Sequence, residues 1–128
     1  MPARPLLRLF APALLLALAA CAPKPIYQRT AGTLEVPPGQ VAQTPERYAD
    51  RDVIWGGTVV AVNNLPDRSE VEIVAFPLDG SQRPKTGDVS AGRFIAVLPG
   101  YVEPLSYPAG APITVAGRIS GSRAGKVG

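Results

Sequence analysis

The side chains able to do chemistry in this sequence are few and of limited kinds. Histidine is absent, which removes the commonest general base and the commonest zinc ligand. Glu70 and Glu72 stand two apart and share one face of a strand, a placement that an acid and base pair would need. The same alternation against Val71 and Ile73 marks the wet face of an amphipathic strand, which is the expected role. Asp50, Asp52, Asp79 and Asp88 would hold a divalent cation only if the fold gathered them, and scattered solvated carboxylates are the default. Trp55, next to Gly56 and Gly57, could stack a sugar or a base, although a tryptophan in an apolar run is more often core. Arg83 and Arg93 bracket a polar loop and could contact an anionic ligand or surface. Solvated surface arginines are the ordinary alternative. Gly56-Gly57 matches no phosphate cradle, since no helix is expected after it. No catalytic residue, metal site or cofactor is expected, and the sequence does not read as an enzyme.

The one cysteine is different. Cys21 closes the segment MPARPLLRLFAPALLLALAAC, with basic Arg4 and Arg8, an apolar stretch from Leu9 to Leu18, and small Ala19 and Ala20. This is the layout of a secretory signal peptide cut between Ala20 and Cys21. As a permanent membrane span it is short: Leu9 to Ala22 reaches ~21 Å of a ~30 Å hydrocarbon core, with Pro12 inside the run. A single cysteine excludes an internal disulfide. Leu18-Ala19-Ala20-Cys21 resembles the lipobox of bacterial lipoproteins, and the resemblance implies a diacylglyceryl (palmitate-type) anchor on the Cys21 sulfur, cleavage before it, and acylation of the new amine. Each buried methylene contributes ~0.8 kcal/mol, so two or three chains hold where one would not. Ala22 is not the aspartate that the same family uses for inner-membrane retention, which implies the outer membrane, facing the periplasm.

These residues must be positioned by a small fold. Of 128 residues the signal takes the first 20, leaving one modest domain. The formal charge of +3 includes Arg4 and Arg8; without them 11 basic residues face 10 acidic ones, and no nucleic-acid surface is implied. Fifteen prolines and 13 glycines argue against a helical bundle. Residues 21–52, with Pro23, Pro25, Pro37, Pro38 and Pro45, read as an extended tether that lets the folded part stand off the membrane. Within it, Thr44-Pro45-Glu46-Arg47-Tyr48 could start a short helical turn capped by Thr44.

Residues 53–128 read as an all-β domain. VIWGGTVVAV (53–62) is apolar on both faces and reads as a central strand, Gly56-Gly57 marking a bulge or bend. EVEIVAFPL (70–78), GRFIAVL (92–98) and the cleanly alternating 112–120 follow, separated by turn residues. Gly121 to Gly125 reads as a hairpin loop with too few residues after it for a strand, so a truncated chain lacking its last strand is expected, with exposed ladder groups on the fourth run.

The β domain resembles the starvation-inducible outer-membrane lipoprotein (Slp) family. The resemblance is carried by Ile54-Trp55-Gly56-Gly57 with Val59 to Asn63, Glu72-Ile73 leading to Pro77-Leu78-Asp79 and Arg83-Pro84, Gly92-Arg93-Phe94, Val115-Ala116-Gly117 and Gly125-Lys126-Val127-Gly128. Tyr101-Val102-Glu103-Pro104 departs mildly from the family's aromatic, Leu, Asp, Pro. The resemblance implies a small OB-like antiparallel barrel on a lipid tether, with no established catalytic activity, associated with stress and stationary phase. Two functions fit. One is a structural or interaction lipoprotein whose partners are the membrane, other envelope proteins or lipopolysaccharide. The other is a glycan or small-molecule binding module using the face near Trp55.

Overall fold

The computed structural model describes residues 25–121. The signal segment, Ala20 and Cys21, and the loop expected after Gly121 lie outside the described residues. The order of elements is β1 (Thr33–Leu34), α1 (Pro38–Gln43), a 3-10 turn (Pro45–Arg47), β2 (Asp52–Asn64), β3 (Arg68–Phe76), β4 (Gly92–Pro99), a second 3-10 turn (Pro104–Ser106) and β5 (Pro112–Arg118). The four expected strands are β2 to β5, each within two residues of its expected bounds.

β2 is central because both of its edges are used. One edge pairs antiparallel with β5 from Asp52↔Arg118 to Thr58↔Pro112. The other takes β1 in parallel at Asp52 and Val53, then β3 antiparallel from Gly56↔Phe76 to Asn64↔Ser69. β3 carries β4 on its far side. The result is an all-β, five-stranded mixed sheet with β4 and β5 at its edges. The expectation is an antiparallel, OB-like barrel lacking its last strand; β1 instead joins in parallel, and among the described residues β4 and β5 do not pair, so no barrel closes. Instead the sheet curls, and Phe94 and Leu98 of β4 meet Ile113 and Val115 of β5 on one cluster centred on Val59, Val71, Ile73 and Ala96, with Tyr107 of the irregular crossing packed against it.

The expected irregularity at Gly56-Gly57 lies elsewhere. Both glycines pair regularly on both edges, and the register shifts between Val59 and Ala61 instead. The extra residue has a packing reason. Side chains alternate between faces, so without it Val59 and Val62 would point to opposite sides; with it both reach the same core. The glycines answer a different need. A Cβ on Gly57 would collide with the Val74 carbonyl, and one on Gly56 would meet the Ile113 carbonyl at 2.8 Å, because the paired strands β3 and β5 crowd β2 from both sides at this point.

Residues 27–51 are not a free tether. Val41 is 5% exposed and packs with Val53 and Ile119, joined by Leu34, Val36, Tyr48 and Trp55, in a second core cluster. The Gly39 N–H donates to the Ala91 carbonyl at 2.9 Å, and the Asp50 N–H to Ile119 at 2.8 Å. Gly92, at φ +111°, admits α1 so closely that a Cβ there would lie 2.7 Å from the Gly39 nitrogen. This stretch is a strap bound to the sheet. Prolines prevent a long helix but not packing, and the single apolar residues that anchor the strap have no periodicity to announce them. The short turn at Pro45 does form, with Pro45 in its first position; Thr44 precedes it but makes no side-chain cap.

Replacing Gly57 with Ala is expected to destabilise the domain by about 3 kcal/mol or more, since the obstructing atom is backbone and cannot move aside. Gly80→Ala, with open space around it, should stay within about 0.5 kcal/mol. Urea unfolding of the two variants checks both.

Candidate functional site

Of the residues singled out for chemistry, Trp55 holds the most structured place. Its indole N–H donates to the Val36 carbonyl at 2.7 Å, and its ring meets Phe94 edge-on, centroids 5.2 Å apart at 60°. The half-buried ring is therefore fastened beneath the strap, with its polar group already used. One side of it still opens on a cleft of about 280 Å³ between the strap residues Leu34, Val36 and Pro38 and the Phe76–Leu78 segment. Arg29 and Glu35, at the rim of this cleft, form an ion pair with each other.

Arg83 and Arg93 are not brought to Trp55. Arg93 neighbours Phe94 in β4, so its side chain leaves from the opposite face, where it pairs with Glu72 at 3.1 Å. Arg83 is exposed in the loop after β3 and donates from a guanidinium nitrogen to the Ser81 carbonyl at 3.2 Å. The two glutamates share a face, but that face is not wet at Glu70, which is 6% exposed because β3 lies between β2 and β4 there; its carboxylate lies 3.5 Å from Arg68, and the half-buried Glu72 is held by Arg93. The aspartates are dispersed. Asp52 faces Arg118 at 3.5 Å and Asp88 faces Lys85 at 3.6 Å. Among the described residues no three acidic, cysteine or histidine side chains come together.

Asp79 organises the loop that carries Arg83. One carboxylate oxygen accepts from the Ser81 N–H (2.9 Å), the Ser81 hydroxyl (2.8 Å) and the Arg83 N–H (2.9 Å). These donors, the Arg83 N–H foremost and then the Ser81 hydroxyl, favour the charged form and hold the Asp79 pKa below its ordinary value.

The loop's tip holds a residue that sequence reasoning passed over. Gln82 is 3% exposed, in a left-handed conformation at φ +63°. Its amide oxygen accepts from the Tyr27 N–H at 2.6 Å, and its amide nitrogen donates to the Tyr27 carbonyl at 2.9 Å. The Tyr27 hydroxyl donates to the Thr114 carbonyl (3.1 Å), and the Thr114 hydroxyl to the Gln82 carbonyl (2.7 Å). One glutamine thus clasps the start of the strap to the sheet. Nothing local distinguishes it from any other polar residue in a polar loop. Beside it, an open groove of about 630 Å³ runs between Pro25–Arg29 and Asp79–Gln82.

A family model for the outer membrane lipoprotein Slp family matches residues 18–128. An uncharacterized lipoprotein, YeaY, of Escherichia coli (strain K12) is 37% identical over 89 residues, covering 70% of this chain and 46% of the relative. An uncharacterized protein of Haemophilus influenzae is 33% identical over 78 residues, covering 60% of this chain and 42% of its own length. The chain spans less than half the length of either curated relative. No solved structure matches with significance.

Asp79 should titrate below 3.8 when its carboxyl carbon is followed by NMR. Because the folded value is depressed, its contribution to stability is fully present above the unfolded pKa and is lost as the pH falls through the folded one. The loop is therefore expected to loosen only in strong acid, and a midpoint at or above the ordinary value would contradict the geometry.

Proposed function

The chain belongs to the outer membrane lipoprotein Slp family, and on that premise we propose that lipid on Cys21 anchors it to the outer membrane, facing the periplasm, as a non-catalytic structural or interaction module of the envelope. The observation that carries this reading is where the family match begins. It starts at Leu18 and so runs through Ala19, Ala20 and Cys21, the residues that resemble a lipobox. Two or three acyl chains supply an anchorage that one would not. The candidate acid and base residues support a non-catalytic role, since Glu70 and Glu72 face arginines rather than each other. A contribution to stress or stationary-phase tolerance, through contacts with envelope proteins or lipopolysaccharide, is the physiological form of this role.

A second reading rests on the cleft beside Trp55, whose apolar walls and about 280 Å³ suit a small apolar ligand or one ring of a glycan. Trp55 reports on it directly. Binding there would shift the emission of the single tryptophan and shield it from quencher, whereas emission unchanged by added glycans leaves the interaction role alone.

Intact-mass measurement of the membrane fraction tests the anchor. A diacylglyceryl adduct on the chain beginning at Cys21 is expected, and Cys21→Ser should remove it and move the protein to the soluble fraction. Undiminished recovery of Cys21→Ser from the outer membrane would refute the anchor.

A further inference from the structure

The clasp at Gln82 has a consequence for where the domain sits, and it rests on the lipid anchor proposed at Cys21. Five residues separate Cys21 from Tyr27. Six peptide steps reach at most about 20 Å when fully extended. A domain of the described size has a radius of gyration of about 12–13 Å and so a diameter near 30 Å. Tyr27 is held to the domain, its backbone by Gln82 and its hydroxyl by Thr114. The span from Cys21 to the clasp is thus shorter than the body it holds.

We propose that the Gln82 clasp holds the β domain directly on the membrane, with the face made by Ile26, Tyr27 and the Asp79–Arg83 loop against the lipid headgroups. The chemistry of this face suits that contact. Ile26 and Tyr27 are 44% and 36% exposed, the aliphatic and aromatic character that settles at a headgroup boundary. Arg83 is exposed beside them, and its cation would be attracted to anionic headgroups, while the Asp79 carboxylate of the same loop is occupied by the Ser81 and Arg83 N–H groups. The opposite end of the sheet is then the end presented to the periplasm. Thr114 pairs with Gly56, and the hairpin after Asn64 lies eight residues further along β2, about 26 Å away. There Asn64 grips the Val102 backbone through both of its amide atoms at 3.0 Å. Tyr101 and Leu105, 71% and 88% exposed, stand at that end.

Gln82 itself is suited to holding, since a buried amide in a left-handed conformation carries a strain that persists only where its surroundings fix it. Its two hydrogen bonds to one backbone unit also set the direction in which the leash leaves the domain.

The test is paramagnetic relaxation of backbone amides in the full-length lipidated protein, in phosphatidylethanolamine and phosphatidylglycerol nanodiscs doped with a gadolinium-chelating lipid. Amides of 26–29 and 79–83 should relax faster than those of 64–67 and 101–105 by more than about tenfold, given the separation along β2 and the sixth-power dependence on distance. Gln82→Ala should flatten this gradient. In case that variant loses its fold, inserting 15 Gly and Ser residues between Lys24 and Pro25 lengthens the leash without touching the domain, and should also flatten it. A uniform profile in protein whose mass confirms the lipid overturns the orientation and leaves the anchor standing. A chain recovered from membranes without lipid on Cys21 overturns both.

Discussion

Everything in this fold follows from β2 being hydrogen-bonded along both edges. Its first seven residues are paired with β5 on one side and with β1 and then β3 on the other. Over this first half the strand has neighbours on both edges, and its apolar residues fall on both faces, so both faces need cover. The curled sheet covers one side of its later half through the Val59, Val71, Ile73 and Ala96 cluster. Among the described residues no further antiparallel strand covers the earlier half, where Val53 and Trp55 lie. The strap supplies that cover, laying Val36 and Val41 over Val53, Trp55 and Ile119.

The same constraint explains why the glycines and the bulge are separated. Close approach of backbone to β2 falls where β3 and β5 flank it together, at Gly56 and Gly57, where a Cβ would meet the Ile113 and Val74 carbonyls. The change of face is required further along, where Val59 and Val62 must both reach the core, and the shift in register sits between them. Placed together, the two features would have left Val62 on the wrong face.

The strands were legible in the sequence because their signal is local. The two-sided apolar run of β2, the alternation of β5 and the turn residues between runs all act within about ten positions. The strap was illegible because its anchors are single residues, Tyr27, Val36 and Val41, whose partners are distant in sequence: Gln82 is 55 residues from Tyr27. The parallel β1 is a two-residue pairing with no periodicity. The shared face of the glutamates follows from their spacing, and Arg68 stands two residues from Glu70 on the same strand, but the burial of Glu70 and the reach of Arg93 to Glu72 across the β3 and β4 ladder depend on register. Trp55 was seen as either core or platform, and it is fastened under the strap while edging a cleft.

Membership of the Slp family, together with this strap, changes the picture of a lipoprotein from a domain on a string to a domain with its string sewn down. That account depends on the strap being as stable as the sheet it covers. Native-state hydrogen exchange on the full chain measures it directly. The Gly39 amide, bonded to Ala91, and the Trp55 indole, bonded to Val36, should open with a free energy close to that of the β2 and β3 ladder amides, as parts of one cooperative unit. Exchange of both at nearly unprotected rates while the ladder stays closed would show that the strap is a loose tether after all.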